Sequence, residues 1–172
     1  MRSSDGKRRV IGIVGWKNNG KTTLVVRLVD HLVRRGLAVS TVKHAHHSVD
    51  VDQPGKDSWR HREAGATEVV LATARRWALI HELREEVEPS LDDILAKMTE
   101  VDLVIVEGFK RFDQPKIEVH RRERGTPLLA RDDPTIVAIA SDEPLQGLSV
   151  PVLDLDDIEA IARLALARAA PG

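Results

Sequence analysis

Gly15 and Gly20 bracket the stretch Trp16, Lys17, Asn18 and Asn19, and Lys21, Thr22 and Thr23 follow directly. Every fixed position of the pattern G-x-x-x-x-G-K-[ST] is met. The chemistry of such a loop is polyphosphate binding. Glycines let the backbone wrap closely around an anion, and successive N–H groups at a helix start supply partial positive charge. Lys21 is expected to reach the β- and γ-phosphates and the Thr22 hydroxyl to ligate Mg²⁺. The two asparagines tolerate the left-handed backbone that a tight turn needs.

Magnesium needs a further acid from another strand. Glu107 closes VDLVIVE, the most apolar run of the chain, and strand ends are where open α/β sheets bind ligands. Asp102 starts the same strand and belongs at the opposite edge of the sheet. A second constellation lies in VKHAHHSVDVDQPGKDSWRHREAGA. Its histidines 44, 46 and 47, with Asp50 and Asp52, admit two readings: a zinc or nickel site, or a polar ligand loop. In the second reading Lys43 and His44 approach phosphate and Asp52 serves Mg²⁺ through water. Lys56, Arg60 and Arg62 add positive charge nearby. The Asn-Lys-x-Asp sequence of many guanine-binding proteins is absent. Asp142 in AIASD holds a comparable late-strand position, from which it can accept from guanine N1 and N2, although an acid after a strand is also an ordinary cap.

These residues must be carried by an alternating chain. RVIGIVG reads as a buried strand, Thr22–Arg35 as an amphipathic helix stopped by Gly36, and LAVSTVKH as the next strand, a βαβ unit. DSWRHREAG reads as a short helix with Asp57 or Ser58 as cap. TEVVLAT is strand-like, SLDDILAKMT helical, and VDLVIVEGF, PKIEVH, TIVAIAS and VPVLDL are strands before a closing helix, DIEAIARLALARAA. The expected fold is α/β: a mostly parallel open sheet with helices on both faces, in three layers, as one nucleotide-binding domain over 1–172 with residues 1–8 flexible. Residues 115–131, without a helix between apolar runs, suggest a β-hairpin or edge ribbon, exposed enough to pair across a dimer.

Composition narrows the function. The 172 residues carry 26 Lys and Arg against 27 Asp and Glu, which disfavours nucleic acid as partner. There is no cysteine, so disulfides and thiolate chemistry are excluded. No run reaches the about 18 apolar residues of a membrane span, and a cytoplasmic protein is expected.

GIVGWKNNGKTTL, TVKHAHHSVDVDQPGKDSWRHREAGA, VDLVIVEGFK, PKIEVHR and VAIASD together resemble, in this order and across nearly the whole chain, the molybdopterin-guanine dinucleotide biosynthesis adaptor family, MobB. The phosphate loop alone is shared by many NTPases, whereas VKHxHH and DxPGKDSxRxxxAGA are far more specific. The resemblance implies a homodimeric P-loop protein that binds GTP with Mg²⁺ and hydrolyses it slowly at most. It would assist the guanylyltransferase that joins GMP to molybdopterin, with molybdopterin itself a possible ligand. It carries the phosphate-loop roles onto Gly15–Thr23, the loop motif onto Lys43, His44, Asp52 and Asp57, and the acid onto Glu107. Dimeric ATPases with a deviant phosphate loop place a lysine directly after the first glycine. Here that residue is Trp16 and Lys17 comes one later, so the intersubunit role of that lysine does not transfer.

No glutamine or arginine is identifiable as the group that orients water or neutralises the transition state. Lys17, Asp52 and Arg60 are candidates by proximity, which implies slow turnover. Two other classes fit the same motifs: a metal-inserting accessory GTPase using His44, His46 and His47, and a small-molecule kinase.

Overall fold

The computed structural model describes residues 8–45, 50–109 and 112–172. The expected flexible start up to residue 7, and His46 and His47, lie outside them. Two compact units are formed, one of residues 1–44 with 91–172, the other of residues 45–90.

The larger unit is built on a sheet ordered β2-β5-β1-β6-β7-β8, from Arg9–Val14 (β1), Val39–Lys43 (β2), Leu103–Glu107 (β5), Lys116–His120 (β6), Ile136–Ser141 (β7) and Val152–Asp154 (β8). All neighbours in that order are parallel. The exception is a short strand, Ala170–Pro171 (β9), antiparallel to the start of β1. Lys21–Arg34 (α1) and Ile158–Arg168 (α4) cover one face, where Leu24, Leu28, Leu32, Ile161 and Ala165 meet Ile11, Ile13, Leu103, Ile105 and Ile117. Leu91–Lys97 (α3) covers part of the other, placing Leu91 and Leu95 on Val10, Val42, Val104 and Val106. Leu103 to Val106 are wholly buried, as expected of a parallel strand covered on both sides. At the opposite end of that strand from Glu107, Asp102 accepts from the Ala38 amide at 2.8 Å.

The expected hairpin or edge ribbon at 115–131 does not form. β6 lies between β1 and β7, with both edges paired and every residue buried. Its alternation KIEVH would ordinarily mean one solvated face. Here Ile117 and Val119 enter the core shared with α1, and the polar side chains find protein partners instead. The Glu118 carboxylate accepts from the amides of Leu129 and Ala130 at 2.8 and 2.9 Å. Lys116 donates to Thr135 and, at 3.3 Å, to Asp133. Burial pushes the Asp133 carboxyl up, but the Thr135 hydroxyl and amide, with Lys116, outweigh it and hold the group below its usual range. Two 3₁₀ turns, Arg122–Arg124 and Leu129–Arg131, shape this strap. A buried internal strand cannot pair across a dimer as an edge would.

The smaller unit contains Asp57–Glu63 (α2) and an antiparallel pair, Glu68–Ala72 (β3) and Trp77–His81 (β4). Ser58 caps nothing: it is buried and donates to Asp52 Oδ1 at 2.9 Å, while Lys56 holds the cap position. Among the described residues no helix is long and apolar enough to cross a membrane.

Candidate functional site

Because the strands are parallel, the C-terminal ends of β1, β2, β5, β6 and β7 share one edge of the sheet. The phosphate loop leaves β1 there. Gly15 has φ 148°, and a Cβ on it would fall 2.6 Å from the Val119 carbonyl oxygen, so no side chain fits. Asn18 takes the left-handed conformation at φ 65°. Asn19 is fully buried, and its Nδ2 donates to the Val119 carbonyl and the Thr126 hydroxyl, both at 3.2 Å. The Trp16 indole donates to the Pro127 carbonyl at 2.8 Å. Thus the loop is tied to the strap that follows β6.

Helix α1 begins with Lys21. No side chain caps it and no acid lies in its first turn, so its positive end is not offset by an acid of the helix itself. Lys21 Nζ donates to the Trp16 carbonyl at 2.9 Å, folded back over the loop it serves. Thr22 Oγ1 donates to Glu107 Oε1 at 2.7 Å. Lys43 Nζ stands 3.3 Å from the same oxygen and 3.4 Å from the Thr22 hydroxyl. The register causes this convergence: Glu107 lies level with Lys43 on β2 and Ile13 on β1. A hydroxyl and a carboxylate meeting at the end of a phosphate loop are hard oxygen donors, the set that suits Mg²⁺ when phosphates and water complete its shell. The Lys43 ammonium is the positive charge now facing these oxygens.

Elsewhere along the edge, the His44 ring packs on Phe109 with centroids 4.4 Å apart. Gly108 turns the chain just before Phe109 at φ 95°, and a Cβ on it would be 3.1 Å from the His44 carbonyl oxygen. Lys17 and Thr23 are exposed beside the loop. Asp142 lines a cleft of about 440 Å³ with Ser141, Glu143, Pro144, Leu145 and Leu153. Its Oδ1 accepts from the Arg122 amide at 2.9 Å, and its Oδ2 faces Arg121 Nη1 at 3.5 Å.

Asp52 and Arg60 belong to the smaller unit. Asp52 accepts from Ser58 and from Arg62 Nε at 3.3 Å, and Arg60 is exposed on α2. Arg62 also binds Glu82 and Asp50. Hydrogen bonds to Glu82 first, then Asp50, hold the guanidinium protonated more firmly than usual. The Asp52 amide, then Arg62, hold Asp50 below the ordinary carboxylate range. Arg62 is therefore the organising cation of this unit. Sequence reasoning noted its charge but not its three acidic partners, and it missed Arg121, Thr126 and Pro127. The last two reach the loop across more than 100 residues, and no local pattern marks such a pairing.

A strand, a glycine-bracketed phosphate loop and a helix in a parallel sheet, with an acid from the neighbouring strand at the loop's end, define a P-loop NTPase fold. The family model described as "Molybdopterin guanine dinucleotide synthesis protein B" matches residues 10–142. The molybdopterin-guanine dinucleotide biosynthesis adapter protein of Haemophilus influenzae is 43% identical over 155 residues, covering 89% of this chain and 85% of the relative. That of Escherichia coli is 40% identical over 156 residues, with 89% of each covered. A crystal structure of molybdopterin-guanine biosynthesis protein B superposes with a TM-score of 0.72 at 32% identity, covering 92% of this chain and 97% of the other. The chain belongs to the MobB family.

Proposed function

We propose that this protein binds GTP with Mg²⁺ and acts as an adaptor in molybdopterin guanine dinucleotide synthesis, assisting the guanylyltransferase that joins GMP to molybdopterin. The observation that carries the nucleotide part is the convergence of Thr22, Glu107 and Lys43 at the end of the phosphate loop. In this reading Gly15–Thr23 cradle the phosphates, Lys21 turns from the Trp16 carbonyl to the β- and γ-phosphates, and Thr22 with Glu107 hold the magnesium. Mg²⁺ supplies charge neutralisation between the phosphates. Asp142 accepts from the guanine base in the cleft beyond β7. Intrinsic hydrolysis is slow in this reading, because no residue of the sequence is identifiable as a water-orienting glutamine or as an arginine finger at the terminal phosphate. The names of the relatives, adapter proteins of molybdopterin-guanine dinucleotide biosynthesis, support the adaptor role, and the guanylyltransferase is the partner that such a role would serve. The protein works as a homodimer, for which the exposed apolar residues Val70, Trp77 and Leu79, which share one face of the β3–β4 pair, are a suitable surface.

Calorimetric titration with a non-hydrolysable GTP analogue and Mg²⁺, with the matching ATP analogue as competitor, tests the reading. Guanine preference lost in Lys21→Ala supports it. Equal or stronger adenine binding removes the Asp142 assignment and favours a small-molecule kinase.

A further inference from the structure

Arg121 is the first residue after β6, at the same sheet edge as the phosphate loop. Its guanidinium lies against Gly20. A Cβ on that glycine would be 3.1 Å from Arg121 Nε and 3.4 Å from Nη2. Gly20 is thus required twice, for its φ of 91° and for the room its missing side chain leaves to Arg121. The side chain is two-thirds buried, and Nη1 of its guanidinium faces Asp142 at 3.5 Å, longer than a well-formed hydrogen bond. A cation is therefore packed against Gly20 at the positive end of an uncapped helix, with one loosely held carboxylate opposite. Like charges gathered in this way are relieved by an anion. The turn that presents Arg121 is fixed by Asp142 as well, through the Arg122 amide at 2.9 Å. Glu143 is taken up elsewhere, facing His120 and Arg122 at 3.4 and 3.6 Å.

We propose, resting on the nucleotide reading above, that Arg121 contacts the nucleoside-proximal phosphate and that Asp142 hands it over. Arg121 spans from the helix start to the base-side acid, so it lies at the nucleoside end of the phosphate path, away from Thr22 and Glu107. Its fork suits a phosphate, for which it can offer two parallel N–H donors. Asp142 now spends one oxygen on Arg122 and faces Arg121 with the other, whereas a guanine edge with two donors asks for both. Base binding therefore releases the guanidinium towards phosphate, and recognition of the base and grip on the phosphate become one event.

The test is calorimetry of the wild-type protein, Arg121→Ala and Arg121→Lys with Mg²⁺ and either GDP or a non-hydrolysable GTP analogue. Ligand-free melting and the ³¹P resonances of bound GDP are recorded alongside. Loss of one charge-assisted contact is expected to weaken both nucleotides equally, by about tenfold or more. Arg121→Lys should recover part of this, and the α-phosphate resonance should move while the melting temperature of the Lys variant stays near wild type. Wild-type affinity and an unmoved α-phosphate signal in Arg121→Ala would overturn the proposal and leave nucleotide binding standing. Weakening confined to the triphosphate would also overturn it, by placing Arg121 at the terminal phosphate. If the wild-type protein binds neither nucleotide, the nucleotide reading falls and this proposal with it.

Discussion

Thr22, Glu107 and Lys43 share one oxygen, Glu107 Oε1, and that economy makes single substitutions informative. Changing Glu107 to Gln keeps the shape and removes the charge. Nucleotide binding should then lose most of its gain from Mg²⁺, a fall of about tenfold, while binding in chelator changes little. Titration with and without Mg²⁺ reads this directly. Gly15 offers a sharper structural test. Ala at this position meets the Val119 carbonyl oxygen at 2.6 Å and adopts a φ rarely open to side chains. A loss of about 2 kcal/mol or more in denaturant unfolding is expected. Lys116 is 1% exposed, so Asp133→Ala leaves a buried ammonium with Thr135 alone. The cost should be about 3 kcal/mol, whereas Asp132→Ala on the neighbouring exposed acid should be near neutral. The loop residues Gly15 to Thr22 and the acid Glu107 were legible in the sequence because spacing and chain context both signal them. Arg121 was not, since its meaning depends on Gly20 and Asp142, which only the fold brings to it.

Among the elements, β1, α1, β2, β5 and β7 follow the apolar patterns that announce them. β6 follows its pattern too, yet the usual inference from it fails. Alternation says only that two faces differ, and Lys116 and Glu118 found partners in the strap rather than in water. β4 was unread because WALIH sits among arginines and acids without a turn signal of the usual kind. Its last residue, His81, is held by Glu68 at 2.8 Å and by Glu86 at 3.1 Å. Glu68 first, then Glu86, raise its pKa above the ordinary histidine value. The stabilisation is therefore fully present below the unfolded value of about 6.5 and is lost as pH rises through the folded one. Hydrogen exchange of the β3–β4 amides, corrected for intrinsic rates, should show more protection at about pH 6 than at about pH 8.5. His81→Gln should remove the difference.

At the level of the molecule, residues 45–90 form their own compact unit between β2 and α3 in the chain, beginning where the sequence turns polar after β2. Within it only Ser58 and Val69 of the described residues are buried. So small a core cannot hold a long-lived closed state by itself. Native-state exchange should find its amides opening with far lower free energy than those of β1, β5 and β6, which should open only with global unfolding. Uniform protection across both units would contradict this.

The tether between Trp16 and Pro127 places an indole inside the Gly15–Thr22 loop proposed to receive phosphate, 37% exposed and hydrogen-bonded at its nitrogen. The chain thus carries its own optical probe. With Trp59 and Trp77 replaced by Phe, the emission of Trp16 would follow ligand arrival in a stopped-flow instrument without any dye, and its wavelength would tell whether the loop stays fastened to the strap while it fills.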